Sequence, residues 1–220
     1  MAIVHKASLS PSKVELISSW LPSRPWYRGT ATDELKQVAA FRFDDPAGEV
    51  GLQVLLVAAS DTGPIYQVPM TYRAAPLHGA DDALMGEMAH SVLGPRYVYD
   101  ACHDPVFVSE LVRAVLTGGT EVDEVAEVDG QTITLPKSMN VHGTGTDAHA
   151  APVVDVVDVR STGDDHSVAA IRSGAFVITL PRVLAADMDP MGAPTLIGSW
   201  PGAEPTCLAF VTSQETPKQG

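Results

Sequence analysis

At 220 residues, 45% of them hydrophobic but only 6% aromatic, the chain is long enough for one or two domains whose cores are built from Val, Leu, Ile and Ala, a composition that favours sheet. Its 14 Lys plus Arg against 27 Asp plus Glu give a formal charge of −13, which repels phosphate backbones and anionic lipid, so neither nucleic acid nor a membrane is an expected partner. The start, Met1 to Ala7, has no apolar signal core and no run approaches the ~20 apolar residues of a membrane span, so the expected location is cytoplasmic.

The first element is a short helix. Ser10-Pro11 reads as N-cap and first helical residue, and Ser12 with Glu15 offers an alternative capping box two residues later. Val14, Ile17 and Leu21 share one stripe and Leu16 with Trp20 the neighbouring one, so the helix should dock on a core, and Pro22 should end it. The loop from Leu21 to Gly29 then places Arg24, Trp26, Tyr27 and Arg28 on backbone that two prolines hold extended. Such a loop is either packed down or presented to a partner.

Three strands are expected next, at Gln37 to Phe43, Val50 to Ala59 and Ile65 to Tyr72, joined by the turn-rich links Asp44 to Glu49 and Ser60 to Pro64. Links this short imply an antiparallel meander. The middle strand is the most continuously apolar and reads as central, while Pro69 argues for an edge or a bulge in the third. Glu87 to Leu93 and Arg96 to Ala101 form a hairpin across Gly94-Pro95 and lead into the clearest helix of the chain. Asp104 is its N-cap and Pro105 its first residue; Phe107, Val108, Leu111, Val112, Val115 and Leu116 form its apolar face, Ser109, Glu110, Arg113 and Thr117 the opposite one, and Gly118-Gly119 stop it.

Beyond Gly119 the helical period disappears, which divides the chain into an α+β unit at 1–117, a β-rich unit at 120–213 and a tail at 214–220. Strands are expected at Pro152 to Val159, at Ser167 to Arg172 paired with Ala175 to Leu180 across Ser173-Gly174, and at Thr195 to Trp200 paired with Thr206 to Thr212.

Few clusters carry chemistry. His142 and His149 flank Gly143-Thr144-Gly145-Thr146-Asp147, but a spacing of seven in a Gly-rich stretch gives no rigid frame for two imidazoles, so a solvated loop is expected and no metal site. That loop also lacks the ending of a phosphate-binding P-loop. Asp100, His103 and Asp104, with Ser91 or Cys102, would make a triad on paper; helix capping by Asp104 explains the same residues with less. Cys102 and Cys207 read as reduced thiols, not a disulfide or a metal pair. Trp26, Tyr27 and Trp200 can stack on sugar rings, though aromatic residues serve cores more often.

Three pieces in order, the early helix running into Trp20-Leu-Pro-Ser-Arg-Pro-Trp26-Tyr27, the strand Tyr66-Gln-Val-Pro-Met70 and the turn Tyr99-Asp-Ala-Cys-His-Asp104-Pro105 before a helix, resemble the N-terminal cap domain of actinobacterial maltokinases over about residues 1 to 117. The whole pattern is similar to small stand-alone actinobacterial proteins described as maltokinase N-terminal cap-like, some bearing names that mention glucan branching. The resemblance implies an α+β fold with an antiparallel cystatin-like sheet and two helices, and in the complete kinases transfer of phosphate from ATP to maltose by two further lobes.

Asp158 to Leu180 is similar to a kinase N-lobe hairpin, so the second unit is expected to be mostly antiparallel and to resemble a reduced N-lobe. Thr179, however, occupies the strand position of the phosphate-pairing lysine. Only eleven residues follow Ala209, and no His-x-Asp catalytic loop occurs, so the catalytic lobe is expected to be absent. A branching enzyme would need a far larger barrel and spaced carboxylates. The sequence therefore leads to a non-catalytic cap-like protein without cofactor, binding an unknown protein or a small-molecule or carbohydrate partner through Arg24, Trp26, Tyr27 and Arg28, and the resemblance implies a place in glucan, maltose or trehalose metabolism. A carbohydrate-active enzyme or sugar-phosphate binder of the same pathway is the alternative.

Overall fold

The computed structural model describes residues 2–3, 8–128, 131–147, 154, 157–163, 166–184 and 188–213. In chain order its first half comprises β1 (Ala2–Ile3), β2 (Leu9–Ser10), α1 (Lys13–Trp20), β3 (Lys36–Phe43), β4 (Gly51–Ala58), β5 (Tyr66–Arg73), β6 (Leu84–His90), β7 (Gly94–Asp100) and α2 (Pro105–Thr117). The second half comprises β8 (Glu124–Val128), β9 (Gln131–Thr134), β10 (Asn140–Gly143), β11 (Asp158–Thr162), β12 (Val168–Ser173), β13 (Phe176–Pro181), β14 (Thr195–Ser199) and β15 (Thr206–Ser213). Two six-stranded antiparallel sheets result, in the orders β2-β6-β7-β5-β4-β3 and β10-β14-β15-β13-β12-β11, with a small third sheet β1-β8-β9. The α+β class and the antiparallel pairing match the sequence reading.

Helix α1 starts two residues later than Ser10-Pro11 suggests: Ser12 is the N-cap, Glu15 closes the capping box, and Ser10 belongs to β2. The reciprocal bonds between Ser12 and Glu15 satisfy two amide donors at once, which a lone Ser10 could not do. Leu16, Ile17, Trp20 and Leu21 then pack with Leu55, Val57, Tyr66, Val68 and Met70 on one face of the first sheet.

Strand β4 alternates between two cores, Leu52, Val54 and Leu56 toward α2 and Leu55 and Val57 toward α1, which is why it reads as one apolar run. It lies second from the β3 edge, not at the centre. Pro69 sits in the interior strand β5, opposite Val54. The amide of Gln67 is directed to the Arg182 carbonyl, and pairing with β7 begins only at Met70. Because amides two apart point the same way, Pro69 falls in the gap between these two partners, where no donor is required. Neither an edge nor a bulge is needed.

Helix α2 is capped as its sequence indicates: Asp104 accepts from the Val106 amide, Pro105 follows, and Gly118 ends the helix at φ 71°. It is buried on more than the expected face. Phe107, Val108, Leu111, Val112 and Val115 share a core with Phe41, Phe43, Leu52 and Val54 of the first sheet and with Val141, Leu196, Leu208 and Ala209 of the second. Glu110, placed on the polar face by its spacing, is accordingly buried, and its carboxylate takes both Nε and Nη2 of Arg113.

The stretch expected as a solvated loop is tied to the end of that helix. The amides of Gly145 and Asp147 donate to the carbonyls of Val115 and Leu116, both at 2.9 Å. These are the acceptors a helix leaves unpaired at its C-terminus. Thr144 fixes the loop to β14 by a pair of bonds, its amide to the Thr195 carbonyl and its hydroxyl from the Thr195 amide.

In the second sheet both expected hairpins form, with Gly174 at φ 55° turning β12 into β13. Thr179 lies within β13, paired with Ala170 and Phe210. Half of the strand expected at Pro152 to Val159 lies outside the described residues, as does the tail at 214–220; the strand seen there, β11, begins at Asp158. Strands β8, β9 and β10 were not read from the sequence, being short and interrupted by acids and glycines. No helix among the described residues is long and apolar enough to cross a membrane.

Candidate functional site

A single 3-10 turn, Leu21–Ser23, carries the chain from α1 into the aromatic loop. Trp26 turns inward and is only 4% exposed, meeting Trp20 edge-on at 5.9 Å between ring centroids and Tyr66 at 6.2 Å. Of the two arrangements open to this loop, packed down or presented, Trp26 takes the first. Tyr27 is half-buried; its hydroxyl donates to Asp33 Oδ2 at 2.9 Å, and burial followed by that carboxylate holds its proton on well above the usual range. Asp33 also accepts from the Thr30 amide and hydroxyl, which closes the loop and keeps its carboxyl below the usual range. Arg24 lies 4.9 Å above the Trp20 ring and donates to Ser23 Oγ at 2.8 Å; Arg28 is exposed, with its amide bonded to the Tyr66 hydroxyl. The four residues named by the sequence thus form an inward anchor, Trp26, beneath a rim of Arg24, Tyr27 and Arg28.

Beside this loop stands the turn from Asp100 to Asp104. Asp100 accepts from the Cys102 amide at 3.2 Å and from Arg182 Nη2 at 2.6 Å. Fully buried Asp104 caps α2 and takes Arg73 in a two-point fork, at 2.7 and 2.6 Å. Both carboxylates are therefore engaged in structure. Burial pushes the Cys102 thiol far above its ordinary range, so it holds its proton and is a poor nucleophile. Ser91 belongs to the hairpin tip at the far end of β7, where it bonds to Ser8. The residues of the paper triad do not meet.

Arg182, which the sequence reading missed, joins these parts. It follows β13, lies 5.4 Å from the Trp26 ring, and its carbonyl accepts from the Gln67 amide while Gln67 Nε2 donates to the Pro181 and Leu208 carbonyls. Its sequence signal was slight: a lone arginine ending an apolar strand in an acidic chain. His103 lies within electrostatic reach of Asp100, Arg182, Asp82 and Arg24, and burial lowers its proton affinity. The aromatic loop and the acidic turn are thus one neighbourhood, closed from beneath by the second sheet.

A separate cleft of about 270 Å³ is lined by Lys137, Ser138, Met139, Asn140, Ser199, Trp200 and Pro201. Lys137 is held by Glu121 and Asp123, and Ser138 by the Ala40 backbone, so these groups are fixed before any ligand arrives. His142 lies on β10 opposite Ile197, and His149 lies outside the described residues. Among the described residues no group of three His, Cys, Asp or Glu is arranged to hold a metal ion.

With this geometry in place, comparison with known proteins adds one finding. Residues 20–104 match the family model of the maltokinase N-terminal cap domain. That segment runs from Trp20 through the aromatic loop and the first sheet to Asp104, the N-cap of α2. No curated protein matches the chain.

Proposed function

We propose that the chain, whose residues 20–104 match the family model of the maltokinase N-terminal cap domain, is a non-catalytic binding protein of maltose- or trehalose-related metabolism. In this reading the first sheet is the cystatin-like part, the second a reduced kinase N-lobe, and the rim of Arg24, Tyr27 and Arg28 meets a protein partner or small ligand. The observation that carries it is the coincidence of the matched segment with both the basic aromatic rim and the turn whose carboxylates are consumed by Arg182, Arg73 and helix capping. A basic rim on a chain of charge −13 favours an anionic partner at short range. Calorimetric titration with maltose, trehalose, a linear α-glucan and the anionic maltose 1-phosphate, alongside an ATP-dependent sugar-phosphorylation assay, tests it. Binding without turnover, lost in an Arg24→Glu, Arg28→Glu variant of unchanged stability, is the expected result; ATP-dependent product formation would overturn it.

A sugar-binding reading is favoured by one further feature, the cleft beside Trp200. Its preset polar groups, beside the mostly buried edge of Trp200, suit the hydroxyls of a sugar ring. If sugar affinity is lost on Trp200→Ala and kept in the arginine variant, the cleft and not the rim is the site.

A further inference from the structure

Away from the rim, four polar side chains meet where α1 begins. Lys13 Nζ donates to Gln53 Oε1 at 2.6 Å, and the Tyr72 hydroxyl donates to the same oxygen at 3.3 Å. The ammonium lies 5.7 Å from the centroid of the Tyr72 ring. Gln53, itself buried, is the ladder partner of Arg42, whose Nε is buried without a hydrogen-bond partner. Among the described residues neither Lys13 nor Arg42 lies within ion-pair distance of a carboxylate. The acid whose charge reaches Lys13 is Glu124 of β8.

We propose that Lys13, Arg42 and Tyr72 form a binding site for a small dianionic oxyanion, either free phosphate or a phosphate monoester. Two cations gathered on one sheet face repel each other and lose hydration, and a carboxamide oxygen compensates one of them only in part. In a chain with nearly twice as many acids as bases, leaving both without a carboxylate partner among the described residues is a specific arrangement. A guanidinium with an unused donor, an ammonium and a rotatable hydroxyl supply the fork, point charge and third donor that a tetrahedral oxyanion accepts. Burial, and next the Arg42 charge, bring the Lys13 pKa down to about 8, and the more distant Glu124 offsets this only in part. An anion seated between the two cations reverses that effect. Glu124 opposes the anion and sets its affinity.

The test is calorimetry on the full chain with inorganic phosphate, glycerol 3-phosphate and acetate at matched ionic strength. Phosphate or the ester is expected to bind one to one and acetate far more weakly. Lys13→Met and Arg42→Gln, each confirmed as folded by circular dichroism, should weaken binding on the order of tenfold or more, and Glu124→Gln should tighten it. Near pH 8 binding should take up protons, read from the dependence of the heat on buffer, and Lys13→Met should abolish that uptake. Preference for glycerol 3-phosphate assigns the site to esters; preference for inorganic phosphate assigns it to the free ion. Absence of binding, or equal affinity in the wild type and both cation variants, overturns the proposal.

Discussion

Arg182 and Asp100, 82 positions apart in the chain, form an ion pair at 2.6 Å with side chains only 4% and 9% exposed. The aspartate ends β7 of the matched cap segment and the arginine follows β13 of the second sheet, so a desolvated charge pair fastens one to the other. Removing one partner of such a pair leaves an uncompensated buried charge. Arg182→Met should therefore cost about 3–5 kcal/mol. Adding Asp100→Asn, which keeps an oxygen for the Cys102 amide, should recover a large part of that loss. Denaturant unfolding of both singles and the double gives the coupling; additive losses would mean that the pair contributes nothing as a pair.

Trp26 is surrounded by Trp20, Tyr66 and Arg182, and its ring fills the space between α1 and the end of the first sheet. Trp26→Ala should cost about 3–5 kcal/mol through lost burial and the cavity left behind. Arg24→Ala removes a cation stacked on an aromatic face and its exposed hydrogen bond to Ser23, and should cost about 1 kcal/mol or less. Melting curves separate the two. A Trp26→Ala protein as stable as the wild type would mean that the ring leaves the core in solution.

What could be read in advance follows the range of the interactions. Helix α2 was legible because its signals are local: Asp104 and Pro105 at one end, Gly118 at the other, apolar residues three and four apart between them. Pro69 was misplaced because its freedom from pairing depends on where β7 stops and the Arg182 segment begins, neither of which is visible from β5. Glu110 was misassigned for a similar reason, since α2 packs with residues of both sheets, which periodicity alone does not show. The pair of Arg182 with Asp100 carries no local pattern. Around the candidate site the aromatic loop and acidic turn were recognisable by residue type, whereas their convergence was not.

The glycines after β10 make a steric prediction. A Cβ on Gly143 would fall on the Ala114 carbonyl oxygen, and one on Gly145 on that of Leu116. Alanine at Gly145 must therefore push the loop off the helix end and strip the Val115 and Leu116 carbonyls of their donors. A loss of about 2–4 kcal/mol is expected. Gly202→Ala serves as the comparison: it meets no atom within 4 Å and pays only for its left-handed φ of 82°, about 1–2 kcal/mol. Equal losses in chemical denaturation would show that the loop does not cap α2.

Lys13 gives stability a pH dependence whose sign is opposite to that of an ordinary ion-paired lysine. Burial and the neighbouring Arg42 lower its pKa in the folded chain to about 8, against an ordinary 10.5 once unfolded, and Gln53, Tyr72 and Glu124 complete its surroundings. Below pH 8 both states hold the proton and the folded chain bears the full cost of a buried cation. From about 8 to 10.5 the unfolded chain keeps the proton while the folded one releases it, so stability rises with pH across that window. Other lysines and tyrosines titrate there too, and the difference from Lys13→Met isolates the contribution. In phosphate-free buffer the methionine variant should be the more stable by about 1–3 kcal/mol at pH 7, and the gap should close as pH approaches 10.5. Unfolding free energies of both proteins at intervals of half a pH unit would check it. A gap that stays constant, or widens with pH, would mean that Lys13 is already compensated at neutral pH, and would place an acid closer to it than Glu124 now stands.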